Sequence, residues 1–322
     1  PFLVEAIALA EPLLQSHGEV PEYLFEISNM YSNAGTFFGF KKGDWKGSLE
    51  LYETSVELRE RLVLLAPDQH RNQNALAGGY NNVGLALYQA KRVAEAKAAF
   101  ERAAEIREAL TAENPAIPQY AKELGDTYTN LGTFSAKQGR PDEAVKYYDK
   151  SVATFTRLAD AHPQIIIYSH HAIDALQSIA SCDPSAPKAL ESIERITKLY
   201  VKLLEQKPQT RSYARLLALY LMLLPDQPSE PLLALTERFS LPNDANPAEI
   251  TVRALALYRN GQFVTAADHL QSIPRKQYDE LTWAVASLVQ TQVDPEGAEA
   301  TLQQARKLIR KRKYPDCEEA LL

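Results

Sequence analysis

Asn33, Asn82 and Asn130 stand 49 and 48 residues apart. A primary amide both donates and accepts hydrogen bonds, so three amides held in a row could grip the backbone of an extended peptide without reading its side chains. The same row suits a second role, in which each amide bonds the neighbouring segment and tightens the fold, because buried amides are normally satisfied within the protein. The spacing alone admits both roles.

Other chemistry-bearing residues form weaker patterns. His170 and His171 are adjacent and on a helix project about 100° apart, which is poor geometry for one metal ion. Cys182 and Cys317 are too few for a disulfide framework and lack metal-site spacing. Glu318 and Glu319 read as a solvated face. The run Arg306, Lys307, Arg310, Lys311, Arg312 and Lys313 could meet nucleic acid or an acidic membrane, but no aromatics interleave it, and a helix C-terminus favours cations in any case. No Walker loop, dinucleotide-binding glycine pattern, Gly-x-Ser-x-Gly elbow, His-Glu-x-x-His or kinase catalytic motif occurs. The chain therefore reads as non-catalytic, with no cofactor and no metal.

Net charge of -6 and a pI near 5.7 argue against a nucleic-acid partner. No stretch approaches the roughly 18 consecutive apolar residues of a membrane span, and the scarcity of cysteine fits a reducing, cytoplasmic setting. The first residue is Pro1, followed by Phe2, Leu3, Val4, Ile7, Leu9, Leu13 and Leu14 at helical spacing. That beginning reads as a piece cut from something larger.

The elements that would position the asparagines follow from an internal period. Pro67, Pro115 and Pro163 lie 48 apart, as do Leu14, Leu62, Leu110 and Leu158. YSNAG (31–35), YNNVG (80–84) and YTNLG (128–132) recur at 49 and 48, and Ser48, Ala96 and Ala144 return to 48. The extra residue in the first interval is expected in the turn around Lys41, Lys42, Gly43 and Asp44. Each unit reads as two helices. In the second, helix A is expected from about Gln73 to Tyr88 and helix B from about Ala94 to Leu110, each with one apolar stripe at spacings of three and four. Gly84, Gly132 and Ala103 would let helix backbones approach closely.

Tyr80, Val83, Gly84 and Leu87 followed by Ala96, Phe100 and Ala103 resemble the tetratricopeptide repeat, W-x2-L-G-x2-Y…A-x3-F. Tyr128, Leu131, Gly132, Ala144, Tyr148 and Ser151 follow the same pattern. The usual period is 34; the surplus of 14 residues here lengthens each hairpin by roughly four helical turns. Residues 113–151 are similar to long-helix repeats of planctomycete-type bacterial Ser/Thr kinases and of kinesin light chain. The resemblance implies an all-α fold, a right-handed α-solenoid of antiparallel helix hairpins wound into a superhelix, which binds a partner protein or peptide in its concave groove.

The period weakens toward the C-terminus. Residues 1–224 read as a long-helix array, 225–249 as a linker holding Pro225, Pro228, Pro231, Pro242 and Pro247, and 250–322 as short hairpins. In kinesin light chains, asparagines matching Asn33, Asn82 and Asn130 contact the bound peptide. Selectivity would fall to neighbours that vary between units: Asn29, Ser32, Thr36, Asn81, Tyr88, Asp126, Thr129, Thr133 and Lys137. Tyr31, Tyr80 and Tyr128 read as packing residues. The expected role is a scaffold, part of a larger bacterial signalling protein such as a Ser/Thr kinase. The alternative is a ligand-gated sensor whose superhelix changes shape on binding a peptide or small molecule.

Overall fold

The residue before each spaced proline cannot easily remain helical, because the proline ring crowds it out of the α region. Ala66, Asn114 and His162 accordingly adopt φ of -138°, -128° and -132° with ψ near 60–67°. Each closes the preceding helix through its own N–H, onto the carbonyls of Leu62, Leu110 and Leu158. The 48-residue period is thus a repeated helix stop. In this computed structural model residues 2–182, 187–207, 210–223 and 247–312 are described, together with positions 233 and 236.

By contacts the chain divides into two units, Pro1–Cys182 and Asp183–Leu322. The first contains α1 (Phe2–His17), α2 (Pro21–Thr36), α3 (Trp45–Leu65), α4 (His70–Gln89), α5 (Val93–Glu113), α6 (Pro118–Lys137), α7 (Pro141–Ala161) and α8 (Ile167–Cys182). Each helix packs on the next, so that α2 with α3, α4 with α5 and α6 with α7 form successive hairpins of one stack. No strand occurs among the described residues. The fold is an all-α solenoid of antiparallel hairpins. Helices A and B of the second hairpin run one to three residues beyond each of their expected ends.

The hairpins are closed by one contact repeated three times. A Cβ at Gly35 would meet the Tyr52 ring at 2.8 Å, at Gly84 the Phe100 ring at 2.9 Å, and at Gly132 the Tyr148 ring at 2.7 Å. All are shorter than van der Waals contact, so the aromatic ring lies flat on bare backbone. Beside it Ser48, Ala96 and Ala144 are fully buried, and Ser48 Oγ donates to the Gly35 carbonyl at 2.7 Å. The alanine of the A-x3-F pattern is small for the same reason as the glycine.

A left-handed residue turns each hairpin: Gly43 at φ 70°, Lys91 at 66° and Gly139 at 69°. These are evenly spaced at 48, whereas Gly35 to Gly84 is 49, so the extra residue lies between Gly35 and Gly43. There the chain forms a π-helical turn, Phe37–Lys41, and a π turn absorbs one residue inside a helix. The insertion is therefore in the end of the A helix and not in the turn around Lys41–Asp44.

The second unit pairs α9 (Pro187–Gln206) with α10 (Arg211–Leu223), then α11 (Pro247–Arg259) with α12 (Phe263–Gln271) and α13 (Glu280–Val293) with α14 (Pro295–Arg312). Gly261, at φ 74°, turns the α11–α12 hairpin, and Ala266 and Leu270 are buried on α12. Of the expected linker 225–249 only positions 233, 236 and 247–249 are described. The basic side chains from Arg306, and residues 313–322 with Cys317, Glu318 and Glu319, lie outside the described residues. No described helix is long and apolar enough to cross a membrane.

Two glycines on the same helix give opposite expectations. Gly84→Ala should lower the urea midpoint by the equivalent of about 1–3 kcal/mol through overpacking. Gly78→Ala, whose nearest neighbour would be Arg107 at 3.8 Å, should raise it by about 0.5–1 kcal/mol, the usual gain for alanine in a helix. Lys91→Gly should also stabilise, by about 1 kcal/mol, by relieving a left-handed side chain.

Candidate functional site

The asparagine row lies along the A helices α2, α4 and α6. Asn33 and Asn130 are exposed and Asn82 half-buried. Asn82 donates to Ser32 Oγ on α2 at 3.2 Å, which joins neighbouring A helices. No such bond links the side chain of Asn33 or Asn130 to another described residue, so the three positions are not equivalent. The middle amide stitches the stack while the outer two face solvent.

Several neighbours expected to vary for selectivity are also taken up internally. Asn81 donates to Thr127 Oγ1 on α6 at 3.3 Å. Its buried Oδ1 has no partner among the described residues. Asn29 accepts from Arg59 at 3.0 Å. Asp126 is ion-paired to Lys122 at 2.8 Å. Thr129 donates to the Gly125 carbonyl and lies 2.8 Å from Ser151 Oγ. Tyr88 packs edge-on against Phe134, with Lys137 Nζ 5.8 Å from its ring centre.

Thr36 and Thr133 answer to the ring beneath them. Thr36 Oγ1 lies 2.9 Å from the Tyr52 hydroxyl, and the Tyr148 hydroxyl donates to Thr133 Oγ1 at 3.2 Å. In the middle hairpin the ring is Phe100, which needs no partner, and the threonine position holds Leu85. The hydroxyl pairing was readable in the sequence from residues 36, 85 and 133 set beside 52, 100 and 148.

A deeper position, not signalled by the repeat motif, joins successive hairpins. Arg59 and Arg107, 48 apart, are both buried. Arg59 donates to the Ala75 carbonyl at 2.8 Å, and Arg107 to the equivalent Glu123 carbonyl at 3.3 Å and to Thr127 Oγ1 at 2.6 Å. Arg107 also pairs with the Glu123 carboxylate at 3.1 Å. Burial pulls the Arg59 guanidinium down to about 10 and lowers that of Arg107, which leaves both cationic at neutral pH. In the third hairpin the position is Phe155, stacked on His171 at 4.7 Å, the residue 48 beyond Glu123. Phe155 lies flat over Gly125, where a Cβ would come within 2.6 Å. His171 is thus a stacking residue.

Tyr80 and Tyr128 span the same junctions, donating to Glu60 and Glu108. Burial, and then the acid partner, raises both phenols. Tyr31 and Tyr128 are buried and Tyr80 half-buried, as packing residues should be.

Where α6, α7 and α8 meet, an open groove of about 610 Å³ is lined by Ala136, Pro141, Tyr148, Asp174, Ser178 and Ser181 among others. Burial raises the thiol of Cys182 at its edge, so that group remains a protonated thiol at neutral pH. Among the described residues no group of three or more His, Cys, Asp or Glu side chains could hold a metal ion.

Residues 76–114 and 124–164 match the family described as tetratricopeptide repeat. No curated protein matches the chain significantly in sequence. Among solved structures the chain is similar to BtubC (BKLC) from P. vanneervenii, at 16% identity over 97% of this chain and 90% of that one, with a TM-score of 0.39. It is also similar to the TPR2AB domain of yeast Sti1 in complex with pHSP90, at 16% identity, coverage of 92% and 98%, and a TM-score of 0.29. A tetratricopeptide repeat protein from Parabacteroides merdae gives 10% identity, coverage of 92% and 97%, and a TM-score of 0.29. At scores this low, nothing about the present chain rests on these likenesses.

Removing one member of the buried pair should expose its dependence on the other. Arg107→Ala should cost about 3 kcal/mol in denaturant unfolding, and adding Glu123→Ala should recover part of that loss, because the stranded carboxylate is removed. A second junction should set the acid limb of stability. The hydrogen bond from Lys97, at 2.5 Å, holds the Glu143 carboxyl below the usual glutamate range. A lowered folded pKa contributes stability above the unfolded value and loses it as pH falls through the folded one. Glu143→Gln should therefore flatten the fall of melting temperature on acidification.

Proposed function

We propose, from the match of residues 76–114 and 124–164 to the tetratricopeptide repeat, that this chain is a non-catalytic interaction module that holds an extended segment of a partner protein along α2, α4 and α6. The observation that carries the reading is the exposure of Asn33 and Asn130 in line with Asn82. An amide spent inside the stack serves the fold, as Asn82 does toward Ser32. An amide left in solvent at the same register is free to bond a ligand backbone, donating from its nitrogen and accepting at its oxygen. The buried arginines and flat-packed rings keep the three helices in fixed register, so the amides are pre-positioned and less ordering entropy is lost on binding.

Placing the module in a bacterial signalling protein such as a Ser/Thr kinase is part of the same proposal, supported by the resemblance of residues 113–151 to kinase-associated repeats. The sensor alternative differs in one measurable respect. A scaffold held by interlocking junctions keeps its radius of gyration when a binding peptide is added, whereas a sensor changes it.

The test is a random extended-peptide library selected against the protein, followed by titration of the selected peptides. Asn33→Ala with Asn130→Ala should weaken binding by about tenfold, roughly one backbone hydrogen bond per amide, with an unchanged melting temperature. Asn82→Ala should in addition lower stability by about 1 kcal/mol. Unchanged affinity in the Asn33, Asn130 double variant would remove the α2–α4–α6 face as the binding surface.

A further inference from the structure

The groove at α6, α7 and α8 differs from the rest of the A-helix face in what its polar groups have left to offer. A hydroxyl has one proton, and three of the groove's hydroxyls have already used theirs. Ser178 Oγ donates to the Asp174 carbonyl at 2.9 Å, Ser181 Oγ to the Gln177 carbonyl at 2.8 Å, and the Tyr148 hydroxyl to Thr133 Oγ1 at 3.2 Å. Their remaining capacity is lone pairs, so they can only accept from a ligand. The exposed Asp174 carboxylate, the one formal charge of this lining, is also an acceptor, and no ion pair joins it to a described residue, while Gln177 adds an amide that both donates and accepts. At the equivalent position one unit earlier, Asp126 is already neutralised by Lys122. Apolar wall comes from Ala136 and Pro141.

From this lining, whose single charge is a carboxylate and whose hydroxyls can only accept, we infer that the groove is a subsite for the side chain of a lysine or arginine in the bound segment. Those two side chains carry donors and no acceptors. Their methylene stems can lie along apolar wall while the cation reaches a carboxylate. An acidic side chain would face Asp174 and three further acceptors, and an apolar one would cover Asp174 without pairing it, which is costly for a charge. The groove's volume of about 610 Å³ accommodates either basic side chain. The inference rests on the reading that this face binds an extended segment, and it names the residue type that one register position selects.

The experiment titrates the full chain with acetylated, amidated pentapeptides of sequence Ala-Ala-X-Ala-Ala, X being arginine, lysine, citrulline or norleucine, followed by amide NMR shifts. Arginine and lysine peptides should move the Ser178 and Ser181 resonances with an affinity about fivefold above the citrulline and norleucine peptides, the scale of one solvent-accessible ion pair. Asp174→Asn should abolish that preference, and added salt should weaken it. Equal binding of arginine and citrulline peptides, a preference that survives in Asp174→Asn, or no response to any of the four would each overturn the subsite. Should the subsite fail while library peptides still lose affinity in the Asn33, Asn130 variant, the binding face stands without it. Should both fail, the face itself is excluded.

Discussion

The hairpins of the first unit depend on the absence of a side chain. Gly35, Gly84 and Gly132 allow Tyr52, Phe100 and Tyr148 to lie directly on the backbone of the facing helix, and that approach sets how closely helix A meets helix B. Aromatic rings bring large buried area to such a contact, but only if the surface beneath is flat. The small residues Ser48, Ala96 and Ala144 on the B helices meet the same requirement from the other side. A π-helical turn takes up the single extra residue of the first hairpin beyond Gly35, which leaves the contact undisturbed.

A second position governs how hairpins join, and it tolerates two chemistries. Arg59 and Arg107 bridge three helices each, with donors spent on carbonyls and side chains of both neighbours. Phe155 fills the same place by stacking on His171. The residue underneath changes in step: Ser28 and Ala77 accompany the arginines, and Gly125 accompanies the phenylalanine. A guanidinium can bond around a small side chain because its donors lie at its rim, whereas a ring must rest on a plane.

These junctions also decide which polar residues remain available to a partner. Hydrogen bonds between hairpins consume Asn81 and Asn82, and bonds within a hairpin consume Asn29, Thr36, Thr129 and Thr133. What is left toward solvent is Asn33, Asn130 and the Asp174 groove. The binding proposal is therefore drawn from residues that the fold does not use, and the stability of the stack and the chemistry of its face are separable in the variants that probe them.

Read as a chain of letters, the protein already contained its helix stops, its hairpins and the glycine–aromatic pairs, because each is a local or fixed-interval pattern: a proline with its constrained predecessor, a stripe at three and four, a glycine 16 or 17 residues before a ring. The Thr–Tyr and Leu–Phe pairing was legible too, once equivalent positions were aligned. The division of the asparagines into one internal and two exposed amides was not, since all three occupy the same register and differ only in whether a neighbour such as Ser32 presents a free acceptor. The buried arginines were equally silent, because a charged residue on a helix reads as solvated until a second and third helix are packed around it. Sequence determined the repeating unit; the tertiary structure decided which of its polar atoms are satisfied internally, for hydrogen bonding between hairpins depends on distances across the stack that no spacing along the chain encodes.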